Sequence, residues 1–174
     1  MRVDRDDKPL DNEDAERWEA VEEATELLLQ AEPHRALIAL REVVTRDPRN
    51  PYAYYYIGTA MFELGRFDAS IDAYRAALRV SPKYLAARVG LSHALRIEGD
   101  VVGAIEQARL ALTYHRGDGD ALFALGLALA SHGDRQGAID ALTAFLETRP
   151  EFEIYLEASA MLHKLTGEEP EPLD

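Results

Sequence analysis

The sequence has no cysteine and only one tryptophan among its 174 residues. Without cysteine, the chain can form neither a disulfide nor a thiolate metal site. It also lacks long apolar runs: the start carries no hydrophobic segment of the kind found in secretory signals, and no later stretch is long enough to span a bilayer. We therefore expect a cytoplasmic protein with no membrane insertion.

Basic residues are scarce, with 19 lysines and arginines against 32 aspartates and glutamates, for a formal net charge of −13. This balance disfavours nucleic acid, whose phosphates need a basic surface, and it disfavours an anionic membrane surface. The acidity either serves solubility alone or points to a partner of opposite charge. An acidic partner segment would be repelled, so we expect a basic or apolar one.

Two apolar stripes at helical spacing occupy the stretch from residue 51 to residue 84. Small residues accompany them where two helices must approach closely, Gly65 is suited to a turn, and Pro82 stops the second helix. The stripe residues are Tyr54, Ile57, Met61 and Leu64 on the first helix, and Ile71, Tyr74, Ala77 and Leu78 on the second. One hairpin cannot bury both stripes, so each must stack on a neighbour.

This stretch resembles the tetratricopeptide repeat (TPR), a 34-residue helix-turn-helix unit. The positions that carry the resemblance are Tyr54, Ile57, Gly58, Met61, Ser70, Tyr74, Ala77 and Pro82. Only Ser70 departs clearly from the family pattern, which has alanine there. Stepping by one period predicts four units without insertion or deletion, with the first degenerate and the third weakened by Arg88 and Arg116.

The resemblance implies an all-α protein: a right-handed α-solenoid of about four TPR hairpins with a C-terminal capping helix. The predicted organisation is a flexible acidic segment at 1–14, a TPR domain at 15–167 and a disordered acidic tail at 168–174. Within the domain, we expect repeats at 17–50, 51–84, 85–118 and 119–152, and a capping helix at 153–166.

Members of the family usually hold a peptide in a concave groove lined by the first helix of each repeat. Carried onto this sequence, the groove positions with the strongest binding character are Tyr52, Tyr55, Tyr56, Thr59, Phe62, Val89, His93, Arg96, Phe123 and Leu127. Tyrosines suit such a surface because they bring contact area with little conformational entropy to lose. The alternative is that they pack on the N-terminal segment or the capping helix and close the groove from within.

The lysine, asparagine and arginine clamp by which some family members grip a C-terminal carboxylate is absent, because its positions hold Val21, Thr25, Tyr56, Ala86 and Gly90. Enzyme chemistry is not indicated either. The five histidines fall at unrelated phases of the repeat, and no metal, phosphate-loop or nucleophile motif is present. We expect no catalysis, no metal and no cofactor.

The favoured function is therefore a non-catalytic adaptor or scaffold that binds a protein or peptide partner in the groove. One alternative is a chaperone similar to the type III secretion chaperones that hold translocator proteins, which resemble this chain in size, charge and layout. Another is a self-assembling scaffold, a homo-oligomer in which Trp18, expected to be exposed near one end, makes a contact.

Overall fold

The computed structural model describes residues 12–167, so residues 1–11 of the segment predicted to be flexible (1–14) and the whole predicted tail (168–174) lie outside the described residues. Every regular element within that range is an α-helix, which confirms the all-α prediction. The helices are α1 (Asn12–Glu19), α2 (Glu22–Leu29), α3 (Pro33–Arg46), α4 (Pro51–Glu63), α5 (Phe67–Val80), α6 (Leu85–Glu98), α7 (Val101–Tyr114), α8 (Gly119–His132), α9 (Arg135–Glu147) and α10 (Phe152–Thr166).

The chain divides into two compact units, residues 1–82 and 83–174. In the first unit, α2 packs on α3, α3 on α4, and α4 on α5. In the second, α6 packs on α7, α7 on α8, α8 on α9, and α9 on α10. Each helix thus packs mainly on its neighbours in sequence, as expected for stacked helical hairpins.

The starts of α4, α6 and α8 follow the predicted period, since Pro51, Leu85 and Gly119 lie 34 residues apart. Side chains fix two of these starts. Asn50 and Asp118 precede α4 and α8, and each side chain accepts a hydrogen bond from the backbone N–H three residues later. These N-caps satisfy donors that the first turn of a helix leaves open.

The N-terminal end differs from the expected single first helix. Helix α1 begins at Asn12, inside the segment predicted to be flexible, and a break at residues 20–21 separates it from α2. At the break, Val21 N–H bonds to the carbonyl of Trp18, three residues back, and Val21 itself is fully buried. The bond to the third residue back is the 3₁₀-type pattern of a helix end, and it interrupts the α-helical pattern between α1 and α2.

Two serine hydroxyls join the helices of successive hairpins across the same pair of repeat positions, but the serine lies on the second helix in one hairpin and on the first helix in the other. Ser70 on α5 donates a hydrogen bond of 2.8 Å to the Gly58 carbonyl on α4. In the next hairpin, Ser92 on α6 donates one of 2.8 Å to the Ala104 carbonyl on α7. Residue 92 corresponds to residue 58, and residue 104 to residue 70. The departure at Ser70 is therefore a buried, hydrogen-bonded group and not a weak point.

Arg88 stands where the repeat usually has a large apolar residue, and it too is buried with its polar group engaged. Its side chain is 9% exposed. The guanidinium lies 5.3 Å from the ring centroid of Tyr114 and donates a hydrogen bond of 2.9 Å to Gln107 Oε1. Planar guanidinium groups stack well on aromatic rings, so Arg88 fills the space between α6 and α7 as an apolar residue would.

Helix α10 covers one side of α9, as a capping helix should. Ala158 is buried against Leu142 and Phe145, and Met161, Leu162 and Leu165 pack around that cluster. Ile154 and Leu156 of the same helix remain 39% and 47% exposed.

Within residues 12–167, no helix is both long and apolar enough to cross a lipid bilayer.

Candidate interaction surface

Four aromatic rings of the first unit form one contact network, which we call the aromatic patch: Trp18, Tyr52, Tyr55 and Tyr56. The indole of Trp18 packs edge-on against Tyr52, with ring centroids 5.3 Å apart, and against Tyr56 at 6.2 Å. Tyr56 in turn contacts Tyr55 at 4.9 Å. All four side chains are half-buried, so each keeps part of its surface accessible. Edge-to-face packing of this kind holds rings in defined positions.

The position of Trp18 depends on its neighbour Arg17, which is fastened to two other segments. Arg17 Nε bonds to Asp47 Oδ2 at 2.8 Å, and the Arg17 carbonyl accepts a hydrogen bond of 2.8 Å from Asn50 Nδ2. The hydrogen bond from Arg17 holds the pKa of Asp47 below its usual range. Helix α1 therefore joins the end of α3 and the start of α4, which places Trp18 beside Tyr52.

Tyr74 on α5 supports the patch from beneath. It is 4% exposed, and its ring centroid lies 5.8 Å from that of Tyr55. Burial raises the pKa of Tyr74 to about 12, so the phenol stays protonated at neutral pH. Its hydroxyl lies 3.4 Å from Thr59 Oγ1. Thr59 thus serves the packing of Tyr74, and its hydroxyl is engaged within the hairpin.

Phe62, the last predicted groove residue of the first unit, packs on Phe67 at the start of α5, with centroids 5.3 Å apart. The pair bridges the turn between α4 and α5. Phe62 is half-buried and does not join the ring contacts of the aromatic patch.

In the second unit, the predicted residues divide between core and surface. Val89 packs against the cluster of Leu85, Ala111 and Ala121, and Leu127 is only 7% exposed. Phe123 is half-buried against Phe145 of α9, with centroids 5.0 Å apart. Leu127 therefore offers almost no contact area to a partner.

His93 and Arg96 are the polar members of the predicted set in the second unit, and the charge of Asp120 also acts on His93. Burial is the main cause that lowers the pKa of His93 to about 4; the charge of Arg96 lowers it further, and Asp120 opposes both. The imidazole is therefore neutral at pH 7. Arg96 Nε is buried and has no hydrogen-bond partner among the described residues.

Trp18, expected from the sequence to be exposed near one end, is instead half-buried in the aromatic patch. A signal was available: Trp18 and Tyr52 both occupy the second position of their repeats, 34 residues apart. Such positions are adjacent when parallel first helices stack. The depth of Tyr74 beneath Tyr55 had no comparable signal.

An open cleft of about 580 Å³, which the sequence did not indicate, lies between α7 and α8 of the second unit. Its lining mixes apolar and charged side chains: Val102, Ile105, Glu106, Arg109, Leu110, Thr113, Leu129, His132 and Asp134. Across residues 12–167, no three histidine or acidic side chains are grouped closely enough to hold a metal ion.

Comparison with known proteins agrees with this architecture. One family model described as tetratricopeptide repeat matches residues 21–83 and 58–121, and a second model of the same description matches 120–151. One curated relative, the tetratricopeptide repeat and J domain-containing co-chaperone DNJ1 of Cryptococcus neoformans, is 31% identical over 84 residues. That match covers 48% of this chain and 16% of DNJ1, so the chain corresponds to a small part of that protein.

Two solved structures have the same fold. MamA from Desulfovibrio magneticus RS-1 superposes with a TM-score of 0.73 at 18% identity, covering 91% of this chain and 86% of that one. The first TPR domain of Spaghetti (RPAP3), bound to the HSP90 peptide SRMEEVD, superposes with a TM-score of 0.63 at 20% identity, covering 67% and 90%. At these identities the likeness concerns the fold.

The class of protein is thus an all-α solenoid of stacked helical hairpins. The chain belongs to the tetratricopeptide repeat family, whose members are in general protein-interaction modules.

Proposed function

We propose that this chain is a non-catalytic adaptor or scaffold that binds a peptide segment of a partner protein, and that the aromatic patch is its main contact surface. The observation that carries the proposal is the chain of ring contacts from Trp18 through Tyr52 and Tyr56 to Tyr55. Four half-buried aromatic rings held by one another form a rigid surface, so little conformational entropy is lost when a partner binds.

The chemistry of the patch defines the segment it would hold. The rings offer apolar area and faces that attract cations. The net charge of −13 attracts basic segments and repels acidic ones. An apolar segment with flanking lysine or arginine therefore fits best.

The second unit offers candidate contact residues of its own. In the second unit, Phe123, His93 and Arg96 offer an apolar ring, a neutral imidazole and a guanidinium with an unused donor. Val89 and Leu127 belong to packing and contribute little to such contacts.

The test compares partner capture by the wild-type chain and by a Tyr52→Ala, Tyr55→Ala variant, after circular dichroism has shown that both are folded. The matched control is Ile38→Ala, Val102→Ala, which removes two apolar side chains that are each 66% exposed elsewhere. We expect the patch variant to lose at least about tenfold in affinity, as loss of two interface tyrosines should cause, while the control binds normally.

Fluorescence gives an independent measurement, because Trp18 is the only tryptophan and lies within the patch. A captured partner segment, made as a peptide, should shift its emission. Equal partner binding by the wild type and the patch variant, with no change in Trp18 emission, would remove the patch from the proposal.

Two other functions stay predictions. The resemblance to type III secretion chaperones would show as rescue of an aggregating client protein. Self-assembly into a scaffold would show as growth of the particle with concentration.

A further inference from the structure

Helix α10 has one face packed and one face open. Its inner face carries Ala158, Met161, Leu162 and Leu165 against the α9 cluster. On the opposite side, Phe152 is 62% and Leu156 47% exposed, and the exposed Ala160 follows one turn later. We call Phe152, Leu156 and Ala160 the outer face of α10. They lie four residues apart, so they form one stripe along the helix.

The other repeats show which helix packs on the face that corresponds to the outer face of α10. Helix α10 begins 33 residues after α8, whose start at Gly119 opens the last predicted repeat, and so occupies the place of a first helix. In the hairpins, the first helix packs antiparallel on a second helix, as α4 does on α5 and α8 on α9. Leu156 and Ala160 fall at the register positions of Leu122 and Gly126, which pack against α9, whereas Phe152 falls at the position of Asp118, the residue that caps α8.

Ala160 identifies the contact most clearly, because it falls at the register position of Gly58 and Gly126. At those two positions the second helix comes so close that an added Cβ would lie 2.6 Å from Tyr74 and 2.7 Å from Leu142. A small residue at position 160 therefore leaves room for a large side chain from an approaching helix.

The distribution of side-chain size and charge along α10 favours a second copy of α10 as the helix that packs on its outer face. Its N-terminal half carries the large Phe152 and Leu156 with Glu153 and Glu157, whereas its C-terminal half carries the small Ala160 with Lys164. Two such helices fit together when they run antiparallel: Leu156 of each copy meets Ala160 of the other, and Glu153 meets Lys164. Their macrodipoles are then also opposed, which is favourable.

We propose that the outer face of α10 is a self-association surface, on which α10 of a second copy packs antiparallel in the place of a hairpin's second helix. The contact is isologous, so it closes as a two-fold dimer and does not extend into a filament. A single helix pair is smaller than a standard interface of about 1,600 Å², so the dimer should be weak and populated at roughly 100 µM and above. This surface is separate from the aromatic patch and does not depend on the proposed function.

Disulfide trapping tests the geometry, and the absence of native cysteine gives a clean background. Chains with Leu156→Cys and with Ala160→Cys are oxidised separately and as a mixture at about 100 µM and roughly 0.3 M NaCl. The antiparallel pairing brings position 156 of one copy to position 160 of the other, so the mixed disulfide should form about fivefold faster than either homodimer. Ile38→Cys mixed with Ala160→Cys is the control, because Ile38 is exposed on α3.

Sedimentation equilibrium of the cysteine-free chain provides the second measurement. Wild type should show a monomer–dimer equilibrium, and Phe152→Glu should be monomeric yet folded, because Phe152 is largely exposed. A wild-type chain that is monomeric at about 1 mM, a variant that dimerises equally, or a mixed disulfide no faster than the Ile38→Cys control would each overturn the proposal. If the wild-type chain is monomeric and Phe152→Glu abolishes binding of a captured partner protein, the outer face of α10 binds that partner, and the proposal is again overturned.

Discussion

Ser70 and Gly58 are joined by a hydrogen bond of 2.8 Å from the serine hydroxyl to the glycine carbonyl, across the α4–α5 hairpin. Alanine stands at the position of Ser70 in the next two repeats, as Ala104 and Ala138. Ser70→Ala should therefore be accommodated sterically and should lower the free energy of unfolding only by the net value of one buried hydrogen bond, about 1 kcal/mol. Urea denaturation measures this change, and a loss above about 3 kcal/mol would mean that the serine has a further role.

Gly58 should tolerate no side chain. A Cβ added there would lie 2.6 Å from Cδ1 and Cε1 of the Tyr74 ring, which is itself buried. We expect Gly58→Ala to destabilise the fold by about 1–3 kcal/mol even though alanine favours helix. In a Tyr74→Leu background the same change should cost clearly less, and a double-mutant cycle by urea denaturation measures the difference. Equal costs in both backgrounds would exclude the ring as the cause.

Replacing Ala31 by glycine should stabilise the folded chain. Its φ of +57° is left-handed, and the corresponding positions in the later repeats hold Gly65, Gly99 and Gly133, all with positive φ. Relief of the strain on a non-glycine residue should raise the free energy of unfolding by about 0.5–1 kcal/mol after the entropy cost of glycine. Thermal denaturation should show a higher midpoint for Ala31→Gly, whereas Ala39→Gly, within α3, should lower it.

Asn50 should be among the more sensitive polar residues of the first unit. It is fully buried, its Oδ1 accepts from Ala53 N–H at 3.1 Å, and its Nδ2 donates to the Arg17 carbonyl at 2.8 Å. Asn50→Ala removes both bonds and should cost about 2–3 kcal/mol. Asn50→Ser keeps an acceptor for the cap but loses the bond to Arg17, so its cost should be smaller. The Trp18 emission should shift in both variants if this bond holds α1 in place.

His93 should make stability depend on pH in a defined window. Its pKa is about 4 in the folded chain against an ordinary value of 6.5, so the unfolded state binds the proton more readily. The stabilisation that the fold gains because His93 is buried in its neutral form is present in full above the unfolded-state pKa of about 6.5. It is lost as the pH falls towards 4. We expect a loss of about 2 kcal/mol over this range, allowing for partial exposure of the ring. Urea denaturation at a series of pH values measures it. His93→Gln should remove this part of the pH dependence, whereas His34→Gln, at an exposed position, should leave it unchanged.

Local chemistry made most of the fold predictable. The recurrence of apolar residues at helical spacing indicated the helices, Gly65 marked a turn, and Pro82 marked the end of a helix. These signals act within a few residues of chain, where steric and hydrogen-bonding preferences are strong. The break at residues 20–21 was not predicted, because the buried position of Val21 that accompanies it is set by packing against other helices.

The sequence indicated on which side of a helix each candidate residue lies. It was a poorer guide to how much of each side chain is exposed. The register placed Tyr52 and Tyr56 on one side of α4, and the structure shows both in contact with Trp18. The same register counted Leu127 as a binding residue, but it lies in the core of its unit. A repeat position gives the direction of a side chain, and the neighbouring helices decide how much of that side chain stays exposed.

The sequence by itself determined the 34-residue period, the helix ends and the small residues at close helix contacts, because each follows from the conformational limits of a few neighbouring residues. Only the tertiary structure decided which rings form the aromatic patch, how Ser70 and Arg88 are satisfied, why His93 is neutral, and which face of α10 stays open. Those features depend on the distance and solvent exposure of groups far apart in the chain, which no local pattern specifies.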